Sequence, residues 1–542
     1  MSPRPRRTVR RRRLAVMAAL AVIALAGALL AATAGGGRAP EHADRRPSVQ
    51  RTRVRTSRPS PATAHGEPRS PGTPAPRGRP VDVSVDLRHP GAPIPADFLG
   101  LSFENAALAR MAGYAGNGEV VRLLRSLGDP SLRFGGVSAD ARVAFSQGGP
   151  LPRWASGEIT PADLRGLASL ADESGASVLL TVGLGHYDPA VAAREAAAAH
   201  ALLGQRLAGI AIGNEPDRFA IEGLRGPGWS FAEYARELSA YRAAIARAAS
   251  GVPIAGPDAS SGEPVLPWLR AAAALRPDLL TDHYYPLSSC DGSSPTVQEL
   301  LAPATRATET TMLQSLRTIE RGAGVPLRID ETNDISCKGE PGVSDTFASA
   351  LWASDYLARA LTLGVRGLDF HDLITWPGSY SPLVAAPNGL HANPEWYALL
   401  LAARLRGARP LRATVHGAAN VSAWAFEQPG GAVELVLVDF EPPGAAPLLV
   451  RLALESRPTR ARTRAGARVG SSAGGTSAGG TILRLTGPSP GATTHVRLGG
   501  SEVSATGTWS PHEPLPSVHR QAGTPELALA AGSAALVTLA HA

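Results

Sequence analysis

The feature that most constrains the fold is a regular alternation of short apolar segments with longer alanine- and leucine-rich segments across residues 99–405. Short apolar runs between helix-length segments are typical of βα units, whose parallel strands are buried on both faces. Eight such units can be placed, which predicts an α/β fold of the (β/α)8 TIM-barrel type over residues 91–406. The predicted strands are residues 99–103, 132–134, 177–182, 207–212, 252–256, 279–283, 327–330 and 367–371, and the predicted helices include residues 231–249, 308–321, 344–363 and 394–405.

Beyond Gly407 the pattern changes to short β-like runs separated by clusters of glycine, proline and serine. This pattern predicts a C-terminal antiparallel β-sandwich over residues 407–542. Residues 81–85 alternate apolar and polar side chains, so residues 81–90 are predicted to add an N-terminal strand to that sandwich. The predicted C-terminal runs are residues 434–439, 448–454, 481–485, 495–498 and 527–539.

Residues 1–34 have the pattern of an export signal, with arginines up to Arg13 and then an apolar run that ends in Ala-Thr-Ala. The apolar run, residues 14–34, is long enough to span a bilayer, so two alternatives stay open: a cleaved signal peptide or an N-terminal membrane anchor. Both place the rest of the chain outside the cytoplasm, secreted or tethered to the cell membrane. Residues 35–80, rich in proline, arginine and serine, predict a disordered linker.

The positive net charge is confined to the N-terminal tail. The chain carries +8 in total, but residues 1–80 hold 17 arginines against three acids, which leaves a net charge of −6 on the remaining residues. A groove for nucleic acid needs its positive charge on the folded part of the chain. The sequence therefore predicts no nucleic-acid partner.

Cys290 and Cys337 are the two cysteines of the chain. In an exported protein a pair of cysteines is more often a disulfide than two free thiols, and we expect a bridge between the loops after strands six and seven. The alternative is two small buried apolar residues. No cluster of cysteine or histidine predicts a metal site.

The strongest local motif is Gly-Asn-Glu-Pro-Asp at residues 213–217, directly after the fourth predicted strand. Catalytic groups of a TIM barrel lie at the carboxyl ends of its strands. Glu215 is therefore a candidate catalytic carboxyl group. The alternative is an ordinary helix-capping loop.

A second motif, Arg-Ile-Asp-Glu-Thr-Asn at residues 328–333, ends the seventh predicted strand and contains Glu331. Glycoside hydrolysis with retention needs two carboxyl groups about 5–5.5 Å apart, and glutamates ending strands four and seven can face each other across the barrel mouth. Asp217 and Asp330 are competing carboxylates. Alternation along the strand predicts that Asp330 points away from Glu331.

Three further polar residues lie at or just beyond predicted strand ends, namely Glu104, Asp140 and His371. We expect them to line the sugar pocket. Loop capping and core salt links are the competing interpretation.

Several motifs in a fixed order resemble glycoside hydrolase family 79, a family of retaining enzymes that contains heparanases and exo-acting β-glucuronidases. They are Leu-Arg-Phe-Gly-Gly at 132–136, the Asn-Glu-Pro motif, His-Tyr-Tyr-Pro at 283–286, Cys-Lys-Gly at 337–339 and Pro-Gly-Val-Ser-Asp-Thr-Phe-Ala at 341–348. The resemblance covers roughly residues 81–542.

The resemblance implies that Glu215 is the general acid/base and Glu331 the nucleophile. It also implies that Asn214 hydrogen-bonds the sugar 2-hydroxyl and that Tyr285 donates to Glu331, with His283 a further substrate-binding candidate. Gly339 and Tyr380 match positions that hold the carboxylate of a uronic acid. Lys338 stands where relatives often have a second glycine, and it could itself pair with that carboxylate.

The predicted function is hydrolysis of terminal β-linked glucuronic acid through a covalent glycosyl-enzyme, with a glucuronoside or glycan as substrate. Three alternatives stay open: a retaining barrel glycosidase for a neutral sugar, an endo-acting heparanase-like enzyme, and a non-catalytic surface carbohydrate-binding protein. The acidic catalytic body disfavours the second, since a sulfated polymer needs a basic cleft. The chemistry needs neither a metal nor an organic cofactor.

Overall fold

The computed structural model describes residues 78–376, 378–455, 479–521 and 523–540. The predicted export segment and the predicted linker up to residue 77 lie outside the described residues. The linker prediction is wrong at its end, because the strand Arg79–Asp86 includes its last two residues. Among the described helices, each is too short or too polar to cross a membrane.

Eight parallel strands form a barrel in which each strand pairs with its neighbours in chain order. The last strand pairs with the first, and a bridge between Ile210 and Ile254 completes the circle. The predicted TIM barrel is therefore confirmed. Its strands are β1 (Leu99–Glu104), β2 (Ser131–Gly135), β3 (Ser177–Val182), β4 (Leu207–Ile212), β5 (Ala255–Ala259), β6 (Leu279–Tyr284), β7 (Leu327–Thr332) and β8 (Leu368–His371).

The position of the fifth strand was predicted wrongly. The strand runs Ala255–Ala259 rather than residues 252–256. It contains Gly256 and Pro257, which normally signal the end of a strand, and its register with β6 shifts between Gly256 and Ala259. Because the strand starts three residues later than predicted, Asp258 is part of the barrel.

Eight helices of eight or more residues surround the barrel, one after each strand, and side-chain caps define several of their starts. Thr160 and Asp163 form a capping box at α2, and the Asp188 carboxylate accepts two backbone N–H groups at the start of α3. The helices are α1 (Gly118–Ser126), α2 (Pro161–Ser174), α3 (Pro189–Leu203), α4 (Phe231–Ala248), α5 (Leu266–Ala274), α6 (Pro303–Ala323), α7 (Phe347–Leu363) and α8 (Trp396–Ala403).

Shorter elements lie mainly in the loops. They are the helices Leu108–Ala112, Val137–Ala141 and Val297–Leu300, the 3-10 turns Asn105–Ala107, Gly204–Arg206, Pro216–Arg218 and Glu263–Val265, and three strand pairs: Val143–Phe145 with Gly157–Ile159, Leu287–Ser288 with Ile335–Ser336, and Leu383–Ala386 with Gly389–Ala392.

A separate ten-stranded sheet forms the second layer, which confirms the predicted β domain. The N-terminal strand joins it, but pairs in parallel with Leu448–Glu455, so the sheet is not purely antiparallel. The predicted run 527–539 is two strands, and three further strands, Arg409–His416, Val421–Glu427 and His519–Gln521, had no prediction. The spatial order is Arg497–Leu498, Thr481–Thr486, Ser533–Leu539, Val433–Asp439, Val421–Glu427, Arg409–His416, Arg79–Asp86, Leu448–Glu455, Thr524–Leu529 and His519–Gln521.

Helix α7 packs between the barrel and this sheet, and nearly all its residues are buried. Its Asp355 accepts a hydrogen bond from Trp424 Nε1 at 2.7 Å, across to the sheet. Because a polar residue buried between two layers needs a partner, this contact fixes the sheet against the side of the barrel that carries β7 and Glu331.

Candidate active site

Glu215 stands in a sharp turn just beyond β4. Gly213 has φ 80°, and a Cβ there would lie 2.8 Å from Leu184 Cβ, so only glycine fits. Glu215 is itself left-handed at φ 49°, and its N–H donates to the Asp258 carbonyl at 2.8 Å. The turn aims the carboxyl group at the barrel mouth, where Arg218 Nε, on a 40% exposed side chain, lies 3.2 Å away.

Glu331 lies in β7 and is held ionised by its neighbours. Tyr285 Oη donates to Oε1 at 2.9 Å and Arg133 Nη1 donates to Oε2 at 2.6 Å. Burial raises the pKa of Glu331, but the charge of the Arg133 guanidinium and the hydrogen bond from Tyr285 act against it and lower it. The pKa of Glu331 therefore lies well below its usual range, as a nucleophile requires.

The two glutamates face each other, as predicted. A carboxylate oxygen of Glu215, a ring nitrogen of His283 and a carboxylate oxygen of Glu331 all lie within 4.8 Å of one another. His283 Nδ1 is 3.0 Å from Glu215 Oε1 and 3.9 Å from Glu331 Oε1. The structure thus brings the two predicted catalytic groups and His283 together in one site.

His283 carries its proton on Nδ1. Burial lowers its pKa, but the charge of Glu331 and the hydrogen bond to Glu215 raise the pKa to about 10. The contact of Nε2 with Arg133 Nη2 at 3.2 Å opposes a proton on Nε2, because a guanidinium can only donate a hydrogen bond and Nε2 must accept it. We therefore assign the neutral ring, in which Nε2 accepts from Arg133 and Nδ1–H donates to Glu215.

Arg133 is the centre of the site and was not predicted as a functional residue. Its fully buried guanidinium contacts Glu331, Asn214 and Asp258, with Nη2 2.8 Å from Asn214 Oδ1 and 3.0 Å from Asp258 Oδ2. An arginine in the middle of an otherwise apolar strand was the available signal, because buried charges are almost always paired. Only glycine fits at position 135, because a Cβ there would lie 2.3 Å from the guanidinium carbon of Arg133.

Asp258 and Asp330 complete the buried network. Asp258 was not predicted as a site residue, and Asp330 was predicted to point away from Glu331. Asp258 accepts from Thr181 at 2.9 Å and from Thr281 at 2.6 Å. The prediction that Asp330 points away from Glu331 is wrong: a register shift in β7 turns Asp330 inward, 3.4 Å from Arg133 Nε. Burial, reinforced by Asp258, raises the pKa of Asp330 well above its usual value.

The side chain and backbone of Asn214 are fixed by two buried residues. Its Oδ1 accepts from Arg133, which fixes the orientation of the amide, and its N–H donates to Asp140 Oδ2 at 2.7 Å. No hydrogen bond within the described residues uses Nδ2. That group is left to donate to a ligand.

Asp140 does not line the sugar pocket, contrary to expectation. It is 2% exposed, and its Oδ1 accepts from the N–H groups of Leu184 and Gly185, each at 2.6 Å, while Oδ2 accepts from Asn214. Both its oxygens are engaged by the backbone. Asp140 is a positioning residue that ties the loops after β3 and β4 together.

Glu104 and His371 lie at the ends of β1 and β8. Glu104 accepts from the Ser138 N–H at 2.8 Å, and a Cβ at Gly136 would lie 2.5 Å from its carboxyl carbon. His371 Nδ1 lies 3.2 Å from Ser102 Oγ and 3.6 Å from Glu331 Oε2. His371 is buried beside Glu331 rather than lining an open pocket.

The contacts of the loop after β7 differ from those predicted for sugar binding. The Gly339 N–H already donates to the Ile335 carbonyl at 3.1 Å, so the predicted donation to a sugar carboxylate is wrong for that group. Tyr380 packs between the rings of Tyr285 and His371, each centroid 5.7 Å away. Lys338 Nζ lies over the ring of Trp376 at 3.9 Å from its centroid.

The predicted disulfide is confirmed. Cys290 and Cys337 are bonded, with their Cα atoms 5.2 Å apart. The bond joins the loops that follow β6 and β7. It lies beside the segment that carries Tyr285 and close to the end of β7, which carries Glu331.

Two triads of the described residues have metal-ligating atoms within 4.8 Å of one another, Glu215–His283–Glu331 and Asp258–His283–Asp330. Arg133 contacts all of the second triad and Glu331 of the first. Its guanidinium already supplies the positive charge that a metal would supply. The residues present therefore fit an arginine-centred network.

The fold and the paired strand-end glutamates have the architecture of a glycoside hydrolase barrel. No protein-family model matches the chain. Among curated proteins it is similar to a β-glucuronidase of Aspergillus niger, 26% identical over 193 residues, which cover 32% of this chain and 36% of that protein. The match therefore spans about a third of that relative.

Solved structures with the same fold are also glycosidases. A 4-O-α-L-rhamnosyl-β-D-glucuronidase from Fusarium oxysporum has a TM-score of 0.68 at 19% identity, covering 84% of this chain and 100% of that one. An α-L-arabinofuranosidase from Thermotoga maritima has a TM-score of 0.59 at 14% identity, covering 85% and 99%. A family 51 arabinofuranosidase from Xanthomonas axonopodis has a TM-score of 0.60 at 15% identity, covering 85% and 100%.

Proposed function

We propose that the chain is a retaining β-glucuronidase similar to family 79, which releases terminal β-linked glucuronic acid from glycosides or glycans. The observation that carries the proposal is the pair of facing glutamates with oxygens within 4.8 Å. Retaining glycosidases hold their carboxyl groups about 5–5.5 Å apart, whereas inverting ones need about 6.5–9.5 Å to admit a water molecule.

In the first half-reaction the Glu331 carboxylate attacks the anomeric carbon while Glu215 donates its proton to the glycosidic oxygen. The bond to the leaving group breaks and a glycosyl ester of Glu331 forms. In the second half-reaction Glu215 takes a proton from water, whose oxygen attacks the same carbon and releases Glu331. Each carboxyl group ends in its starting protonation state.

The surrounding residues support this division of roles. Arg133 and Tyr285 bind the Glu331 carboxylate and stabilise its ionised form. His283 donates from Nδ1 to Glu215 and keeps that carboxyl group aimed at the mouth. Asn214, with Nδ2 free, is positioned to bind the sugar 2-hydroxyl, a contact that strengthens as the transition state forms.

The glucuronate preference is supported by the Aspergillus relative and by the position of Tyr380 and Lys338 beside the site. The competing candidate is a retaining glycosidase for a neutral sugar. One observation favours it: the Gly339 N–H, expected to hold a uronic acid carboxylate, is already bonded to Ile335. A carboxylate would then depend on side-chain donors alone.

We propose further that the protein is exported, as a secreted or membrane-tethered enzyme, because its two cysteines form a disulfide. The segment that would direct export, residues 1–34, lies outside the described residues. Immunoblotting of fractionated cells for full-length and shortened chain distinguishes an anchored protein from a processed one.

The experiment that tests the activity is release of p-nitrophenol from β-glucuronide, β-glucoside, β-galactoside, β-xyloside and arabinofuranoside. We expect the unaltered chain to hydrolyse the glucuronide. This activity should disappear in Glu331→Gln and fall about 10²–10⁴-fold in Glu215→Gln. Asp345→Asn, a change on a nearby loop, is the matched control. Hydrolysis of a neutral glycoside alone would keep the mechanism and overturn the glucuronate preference.

A further inference from the structure

A second cavity, of about 410 Å³, lies outside the catalytic centre, between α3 and the short strand Val143–Phe145. Aromatic rings form much of its wall. Trp154 and His186 stack face to face, 4.1 Å apart and 12° from parallel, and Tyr187 at the rim is 53% exposed. Clustered aromatic rings around a concave space are typical of a binding site.

Glu195 on α3 faces this cavity and is 5% exposed. Its carboxyl group has no hydrogen bond or ion pair with any described residue. The other two acids of the wall are occupied: Asp188 caps α3, and Asp140 is held by three backbone N–H groups. Glu195 is therefore the one carboxyl group here with all its hydrogen-bonding capacity available.

A carboxyl group that faces a cavity and has no protein partner is available to bond a molecule bound there. Burial raises the pKa of Glu195 to about 8. At neutral pH the carboxyl group is largely protonated, and it can then both donate and accept a hydrogen bond.

We propose that this cavity binds an uncharged sugar residue, with the aromatic rings against the sugar's C–H face and Glu195 bonded to its hydroxyl groups. An acidic sugar fits poorly, because the wall contains three acids and neither lysine nor arginine. An organic cation would favour an ionised Glu195, which burial opposes. The proposal does not depend on which sugar the catalytic pocket cleaves.

The cavity is linked to the catalytic centre through Asp140. Its Oδ1 accepts from the N–H groups of Leu184 and Gly185, which stand between the cavity-lining residues Gly183 and His186, and its Oδ2 accepts from the N–H of Asn214. A sugar bound in the cavity therefore rests on the loop that positions Asn214. This arrangement suits a second unit of a glycan substrate or a sugar that accompanies it.

The test is calorimetric titration of the full-length chain carrying Glu331→Gln, which keeps glycosides intact, with D-glucose, D-xylose and L-rhamnose. Affinity for at least one of them should fall about tenfold or more when Glu195→Leu or Trp154→Ala is added. Arg194→Ala, an exposed change on the same helix, should leave affinity unchanged. D-glucuronate and tetramethylammonium should show no binding that depends on Glu195.

Glu195→Leu removes an unpartnered buried carboxyl group, so its midpoint of thermal unfolding should rise, and lost binding cannot then be assigned to unfolding. Unchanged sugar affinity in that variant would overturn the proposal. So would the absence of sugar binding, or Glu195-dependent binding of tetramethylammonium alone.

Discussion

The guanidinium of Arg133 and the carboxylate of Glu331 form a buried ion pair, with Nη1 2.6 Å from Oε2. The same guanidinium contacts Asp258, Asn214 and His283. One side chain thus orients Glu331, the Asn214 amide and the histidine that contacts Glu215. The ion pair is a structural element and, in the proposed mechanism, also a catalytic one.

Arg133→Met is expected to lower the free energy of unfolding by about 3–5 kcal/mol, because it leaves buried carboxylates without their counter-charge. Urea denaturation measures the loss. Arg328→Met is the matched control, since Arg328 forms a buried ion pair with Asp369 on neighbouring strands of the same barrel but away from Glu215 and Glu331. Both variants should lose stability, but only Arg133→Met should also abolish turnover in the fraction that remains folded. Equal residual activity would contradict the assignment.

Tyr285→Phe should raise the pKa of Glu331. Tyr285 stabilises the ionised carboxylate, and a hydrogen bond to a charged group is worth about 1.5–3 kcal/mol, or about 1–2 pH units. Because Glu331 attacks only when ionised, the acidic limb of kcat/KM should move to higher pH by that amount.

Tyr284→Phe is the control for that measurement. The Tyr284 hydroxyl is buried and has no hydrogen-bond partner among the described residues, so its removal should leave the acidic limb in place. A limb that stays fixed in Tyr285→Phe would show that another group sets the ionisation of Glu331.

Glu195 should make the stability of the chain depend on pH. Its pKa is about 8 when folded and 4.5 for an unperturbed glutamate, so between these values the folded state binds the extra proton. The stability that comes from the raised pKa of Glu195 is therefore fully present below about pH 4.5. It is lost as the pH rises through 8, by about 1.4 kcal/mol per pH unit. His186, Asp188 and Asp140 line the same cavity and are present in both the unaltered chain and a Glu195 variant.

The measurement is the free energy of unfolding of the unaltered chain minus that of Glu195→Gln, from pH 5 to 8. The difference should fall with rising pH, since glutamine does not titrate. A flat difference would mean that the Glu195 carboxyl group finds water or another partner.

The Cys290–Cys337 bond should stabilise the chain by about 2–4 kcal/mol, since it closes a loop with a sequence separation of 47. Replacing both cysteines by serine tests this by urea denaturation. As a further expectation, the variant should lose activity before it loses fold, because the bond stiffens the loops beside Tyr285 and Glu331. Full activity in the variant would refute that role without affecting the expected loss of stability.

The sequence predicted the parts of the site that follow from strand ends. Glu215 and Glu331 stand directly after apolar runs, so their meeting at the barrel mouth follows from the topology. The contact of Tyr285 with Glu331 was implied by the resemblance, and the disulfide was expected from the export pattern and the two cysteines. These features depend on local pattern and on the known geometry of a barrel.

The remaining parts depend on backbone irregularities and long-range contacts that a periodic pattern does not show. Asp258 was missed because Gly256 and Pro257 conceal a strand. Asp330 was misoriented because a register shift breaks alternation in β7. Asp140 was expected to bind sugar, but its carboxylate holds loops far apart in sequence, and only their folding reveals that its acceptors are occupied.

In the proposed mechanism Glu331 attacks the sugar directly and Glu215 serves as acid and then base. The most direct test is the anomeric configuration of the first sugar released from p-nitrophenyl β-D-glucuronide, followed by proton NMR before mutarotation. A retaining double displacement predicts that the β-anomer appears first and the α-anomer grows later. Initial release of the α-anomer would contradict it, since a single inverting displacement would then be the mechanism.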